Sequence, residues 1–204
     1  MLLIICLKAI ITLFVVVDPI GNIPAFLAAT EGFDKPRRQR AYALSVLIAF
    51  AILLIFALFG RIILDNVFQI QIADIRIAGG ILLLILTIRG LLLEERPISS
   101  VNPSASTVEQ IACVPLACPL LAGPGAMVTS LTIVQNPKAG PLVAILAMLV
   151  VLGLFWFLMR FIDVISRIVG NLVITAVSKV TLVFVGAIGV NMALQGILFY
   201  FPPR

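Results

Sequence analysis

Apolar residues run along this chain in long blocks rather than in alternation, and polar residues gather in the gaps between them. A helix needs about 20 mostly apolar residues to cross the hydrocarbon core of a bilayer. Six segments meet that requirement. The first runs from about Leu2 to Leu27 and is interrupted at Asp18. The second, Ala41 to Gly60, has no charge between Arg40 and Arg61. The third, roughly Ala73 to Leu93, holds Asp74, Arg76 and Arg89 near its ends, where long side chains reach the interface. The fourth is Ile111 to Val134, the fifth Gly140 to Met159 and the sixth Val180 to Phe201. Lys8 lies inside the first apolar run rather than ahead of it, so that run reads as a retained helix, not a cleaved signal.

The longest polar connection, 94–110, contains Pro97 and Pro103 and falls at the middle of the chain. It reads as a linker between a first three-helix unit, 1–93, and a second, 111–204, within one membrane domain. Two features relate the halves. Pro19 and Pro124 sit in interrupted helices 105 residues apart, while Gly80 and Gly90 pair with Gly186 and Gly196 at an offset of 106 residues. Coincidence among glycines is the competing explanation. A repeat of three helices enters the membrane from the opposite side, so the expected fold is all-α, with two inverted three-helix repeats and helices one and four discontinuous. Lys35, Arg37, Arg38 and Arg40 cluster between helices one and two, and Arg96 and Arg167 fall on the same side. The excess of basic residues in short loops makes that side cytoplasmic and both termini extracytoplasmic, in the inner membrane.

Composition agrees. Of 204 residues, 62% are hydrophobic and 11% charged, against about 25% charged in a soluble domain, so a water-facing surface could not be covered. The net charge of +5 suits a membrane surface with anionic lipid rather than nucleic acid, because no basic–aromatic interleaving occurs. Cys6, Cys113 and Cys118 lie in apolar segments, and the chain has no histidine. No metal site is expected. Enzymatic chemistry is not expected either. A serine protease needs a base beside its nucleophile, and an intramembrane aspartyl protease needs two facing carboxylates where only Asp18 lies deep.

Asp18 is the centre of the candidate chemistry. A carboxylate at mid-bilayer costs about 3 kcal/mol or more. Pro19, Gly21, Asn22 and Pro24 follow it, a run that unwinds a helix and restarts one near Pro24. Backbone groups freed at that depth must be buried in protein or line a polar cavity. Asp18 either caps the second half-helix or binds a cation or ammonium group; an uncharged cap would serve more cheaply. The second break is Pro119-Leu-Leu-Ala-Gly-Pro-Gly125, with Pro124 at its core and Ala126, Met127 and Thr129 beyond it. A helix starting there aims free amides and a positive dipole end into the protein, a seat for an anion, unless the break is only a packing kink. Thr129 serves either the site or its own helix backbone. Asn191 and Gln195, four apart, share a helix face and serve either as interhelical bridges or as substrate contacts. Gly79, Gly80, Gly186 and Gly189 read as close helix packing.

Asp18-Pro-Ile-Gly-Asn-Ile-Pro24 with Phe26, and Pro119 to Gly125, resemble the two signatures of the MarC family of integral membrane proteins, and the Asn191–Gly196 region is similar as well. The resemblance covers nearly the whole chain. It implies a six-helix bacterial or archaeal inner-membrane protein of the class that includes small neutral amino acid transporters, similar in layout to lysine-exporter-like transporters. It marks Asp18, Gly21, Asn22, Gly123 and Gly125 as the site. The expected function is secondary transport of a small zwitterion such as glycine or alanine, without a cofactor and with coupling to protons or sodium open. A multidrug or metabolite exporter, and a channel, are the alternatives.

Overall fold

In the computed structural model, which describes residues 2–92, 107–162 and 170–201, the chain is all-helical. Helix α1 spans Leu2–Val17 and α2 Ile23–Ala29. Helix α3 runs Lys35–Ile62 and continues in π-helical form over Ile63–Phe68. Helix α4 is Ile72–Leu92. Helix α5 spans Val108–Leu121, with its helical geometry broken at Val114 and Cys118, and α6 is Pro124–Gln135. Helices α7, Gly140–Arg160, and α8, Asn171–Tyr200, complete the fold. Most of the expected linker, 94–106, lies outside the described residues, as do Arg96 and Arg167. The linker's end does not. Thr107 starts α5 through a reciprocal cap, its hydroxyl accepting from the Gln110 amide while the Gln110 side chain accepts from the Thr107 amide.

Among the described residues, four helices are long and apolar enough to cross a membrane: Lys35–Phe68, Ile72–Leu92, Gly140–Arg160 and Ala176–Tyr200. The pair α5 and α6, bent by 60°, makes a fifth if it crosses as one span. The expected first span differs. Its helix ends at Val17, and α1, at 16 residues, is roughly 24 Å long at 1.5 Å per residue, short of a 30 Å core. The physical reason is Asp18, whose φ of 47° turns the backbone out of the right-handed helix. The sixth segment differs in the opposite sense. Its helix begins nine residues earlier than expected, behind Gly170 at φ 81°. The stretch from Asn171 is apolar enough to continue the helix once the chain has turned.

The closest packing joins α4 to α8, antiparallel. A methyl group at Gly189 would lie 2.8 Å from the Gly80 carbonyl oxygen and 3.0 Å from Leu83 Cβ. At Gly186 it would meet Thr87, 2.9 Å away, and at Gly196 the Ala73 carbonyl, at 2.6 Å. At Gly80 it would run into Gly189 and Ala193, and at Gly90 into Leu182. The Thr87 hydroxyl donates to the Leu182 carbonyl at 3.2 Å, and Lys179 Nζ reaches the Gly90 carbonyl at 3.5 Å. Small residues let two backbones approach where lipid offers no hydrophobic drive for association, so dispersion and such bonds must hold the pair. The other core gathers α1, α3, α5, α6 and α7 around Leu13, Phe26, Tyr42 and Phe155. Phe26 stacks edge-on to Phe155 with ring centroids 4.7 Å apart. Helix α1 packs against α7, and α5 against α3. Arg40 of α3 pairs with Glu109 of α5 at 2.9 Å, and Arg160 of α7 donates to Gln39. These contacts gather the start of α3, the start of α5 and the end of α7 at one end of the molecule.

Gly189→Val should overpack the α4–α8 seam and cost about 1–3 kcal/mol, read as a lower thermal unfolding midpoint in detergent. Gly153→Ala is the control. No atom lies within 4 Å of a methyl group there, so its midpoint should not fall.

Candidate functional site

Two interrupted helices meet at one place. In the first, Asp18 closes α1 by donating its amide to the Phe14 carbonyl at 3.0 Å, then leaves the helix. Its side chain turns back on the break: Oδ1 accepts the Gly21 amide at 2.9 Å. A Cβ at Gly21 would collide with that carboxylate, so the bond needs glycine there. Asn22 precedes α2 but leaves the helix start uncapped, and its amide instead donates to the Val17 carbonyl at 2.7 Å. That places a side-chain donor on a carbonyl orphaned where α1 stops. The Gly21 carbonyl accepts from the Ser178 hydroxyl of α8 at 2.8 Å. Each freed backbone group of the turn named here has a protein partner, as a water-poor interior demands.

The second break is more extensive than Gly123–Gly125 alone. Val114 and Cys118, within α5, take extended φ/ψ ahead of Pro115 and Pro119, and both X-Pro bonds are cis. Proline pushes the preceding residue out of the helical region, so α5 is interrupted twice before it ends. Gly123 then caps α6 at φ −74°, ψ 166°, with Pro124 as its first residue. The Met127 amide makes the first helical bond, to Gly123 O at 3.0 Å. Helix geometry leaves the Gly125 and Ala126 amides without intrahelical partners, and glycine at the cap supplies no side chain to them. Both residues are buried. A Cβ at Gly125 would come within 3.0 Å of Val16 Cγ1 and 2.9 Å of Leu83 Cδ1. Asn22 Nδ2 lies 3.5 Å from the Leu120 carbonyl. The two breaks thus touch across α1 and α5.

Two cavities open on this junction from opposite ends. One, of about 580 Å³, is bounded by α2, the end of α4 with Arg89, both breaks and Ser178. The other, of about 1120 Å³, is bounded by α1, the start of α4 with Arg76, the far end of α6 and the second half of α8. Val16 and Asp18 line both. Asp18 is only 7% exposed, and among the described residues no side chain pairs with its carboxylate.

Most residues expected at the site line one of these cavities. Gly21, Asn22, Gly123, Gly125 and Ala126, with Pro119 and Pro124, line the smaller. Thr129, Asn191 and Gln195 line the larger. The Thr129 hydroxyl has no hydrogen-bond partner among the described residues. Asn191 Oδ1 accepts from Gln195 Nε2 at 2.6 Å, so the pair binds itself rather than a neighbouring helix. Met127 lines neither cavity and packs against the hydrophobic core. Pro19 forms the turn after Asp18 and Pro24 opens α2, both outside the cavity linings. Ser178, Arg76 and Arg89 were not expected there. A serine in an apolar helix and arginines near helix ends have no local pattern that separates a site from an interface; only the fold brings them to the cavities.

A family model described as "MarC family integral membrane protein" matches residues 3–201. The chain belongs to the MarC family. Curated relatives extend over nearly the whole MarC chain. A UPF0056 membrane protein of Archaeoglobus fulgidus is 34% identical over 192 residues, covering 91% of this chain and 89% of its own. The UPF0056 membrane protein YhcE of Escherichia coli is 31% identical, covering 96% and 93%. YvbG of Bacillus subtilis, also named a UPF0056 membrane protein, is 28% identical, covering 94% and 93%. No solved structure matches the chain. This MarC protein is therefore an integral membrane protein that crosses the bilayer several times.

Gly21→Ala should displace the Asp18 carboxylate from the Gly21 amide and leave a buried donor unmet, at about 1–3 kcal/mol. Thermal unfolding of the purified variant measures the loss. A parent-like midpoint would mean that the carboxylate is not seated on that amide.

Proposed function

We propose that this MarC protein is a secondary transporter of small zwitterions such as neutral amino acids, with its substrate seated between the breaks of the first and fourth helical segments. The single observation behind this reading is that two cavities approach one buried carboxylate from opposite ends and are separated there by Val16 and Asp18. A carrier needs one site that can be opened to either side. The groups at the junction match a zwitterion: the Asp18 carboxylate for an ammonium group, and the free Gly125 and Ala126 amides at the start of α6 for a carboxylate. Asp18 also offers a place for a coupling proton or sodium ion.

The reading includes six spans in two inverted three-helix repeats, with α1–α2 and α5–α6 as corresponding broken spans, the cluster at Lys35–Arg40 cytoplasmic and both termini extracytoplasmic, in the inner membrane. The α4–α8 contacts support the repeat. Shifting residues between halves by 106 turns the Thr87–Gly186 contact into Ala193–Gly80, which occurs. It turns Ala73–Gly196 into Lys179–Gly90, which also occurs, and maps Leu83–Gly189 onto itself. Two antiparallel helices whose contacts exchange in this way are related by a two-fold axis across them. In the same exchange, α1 on α7 corresponds to α5 on α3. Rocking of one half against the other about that axis would open the cavities in turn.

In proteoliposomes, labelled glycine or alanine should enter saturably and exchange with unlabelled substrate. Asp18→Asn should lower substrate affinity or coupled uptake at least about tenfold, the scale of a lost charge-assisted bond, while the protein still folds. Gly125→Val should raise the half-saturating concentration by crowding the α6 amides. Linear, non-saturating flux would indicate a channel, and wild-type turnover of the Asp18 variant would reduce that residue to a structural role.

A further inference from the structure

The larger cavity has an electrostatic character that the central junction does not account for. Three cations from three separate elements line it: Lys8 on α1, Arg76 on α4 and Lys138 in the turn between α6 and α7. Its one acidic lining residue is Asp18, at the junction. None of the three cations has an ion-pair partner among the described residues, although Asp74 lies two residues from Arg76. That carboxylate is engaged elsewhere, accepting from the Tyr200 hydroxyl at 2.6 Å and from the Gln71 amide at 2.8 Å. Three cations against one carboxylate give the cavity lining an excess of positive charge, which concentrates anions.

Arg76 is also held in place. Its Nη2 donates to Thr132 Oγ1 at 3.3 Å, and that hydroxyl in turn donates to the Val128 carbonyl at 2.8 Å. Thr132 lines the same cavity. The α6 backbone therefore fixes the Thr132 hydroxyl, which positions one arm of the guanidinium and leaves its other donors for a ligand. An anchored guanidinium is suited to the two oxygens of a carboxylate, which a lysine ammonium meets only as a point charge. In the same lining, the bonded Asn191–Gln195 pair retains an Asn191 donor and a Gln195 acceptor.

We propose that Arg76, with Lys8 and Lys138, forms a second, outer seat for a carboxylate-bearing small molecule, distinct from the central junction. Within the transport reading, on which its role but not its binding rests, the seat draws the substrate's carboxylate into the cavity before it reaches the junction. The two seats differ in the groups they use: a charged fork outside, helix amides inside.

The test uses the purified full chain in a zwitterionic detergent, with sodium succinate as probe and sodium chloride of equal ionic strength as reference. Succinate should raise the unfolding midpoint saturably over chloride. Arg76→Gln should shift the half-saturating succinate concentration upward at least about tenfold, the scale of one charge-assisted hydrogen bond. Arg76→Lys should give an intermediate shift, because charge stays and the fork is lost. Equal midpoints in succinate and chloride, or an unchanged response in Arg76→Gln, would overturn the proposal. So would stabilisation by short-chain phosphatidylglycerol without any by succinate, which would assign the cavity to a lipid headgroup. An Arg76-dependent succinate response in a protein that moves no amino acid would sink the transport reading and leave the outer seat standing.

Discussion

A backbone that leaves helical geometry inside an apolar fold must find partners for every group it frees, and this constraint organises the molecule. At Asp18 the solution is local and long-range together. The carboxylate takes the Gly21 amide, the Asn22 side chain takes the Val17 carbonyl, and Ser178, distant in sequence, takes the Gly21 carbonyl. The last of these bonds ties the first break to α8. The junction therefore depends on α8 being held at a definite register, which the glycine seam with α4 provides. A slip of one residue along that seam would bring a side chain against a backbone at Gly80, Gly189 or Gly196. Close packing there and the polar turn at Asp18 are parts of one arrangement.

The two breaks use proline and glycine differently. The first turns at a left-handed aspartate and keeps much of its hydrogen bonding. The second spreads over three interruptions, at Val114, Cys118 and Gly123, and ends with a helix start that has no side-chain cap. One break thus presents a carboxylate and the other unmatched amides, so the junction holds opposite polarities side by side. Between them Gly125 packs closely against the Val16 side chain. Apolar surroundings strengthen the electrostatics of such groups, because little water competes.

The two helix breaks were legible from residue order. An aspartate followed by Pro19, Gly21 and Pro24 inside an apolar run cannot remain a helix, and Gly123-Pro124-Gly125 cannot either, so both break points follow from covalent geometry. The shared face of Asn191 and Gln195 follows from helical periodicity, although which group they would bond did not: they bond each other. Met127 follows the second break in sequence, but in the fold it lines neither cavity and packs against the core, since a helix turns each successive side chain by about 100°. Arg76, Arg89 and Ser178 have their place only because α4 and α8 run antiparallel beside the breaks.

The sequence by itself determined that this chain is a bundle of membrane helices, that two of its apolar segments are interrupted, and that an aspartate sits at one interruption. Those properties depend on hydrophobic run length, proline's missing donor and the cost of an unneighboured charge, all of which are local. The tertiary structure alone decided that the interruptions touch, that Asp18 borders two cavities at once, and that the glycines of α4 and α8 face each other. Such outcomes depend on which helix faces meet across long stretches of chain. Because nearly every face here is apolar, and lipid and protein interiors are equally apolar, hydrophobicity could not choose among them; close backbone approach and a few hydrogen bonds did.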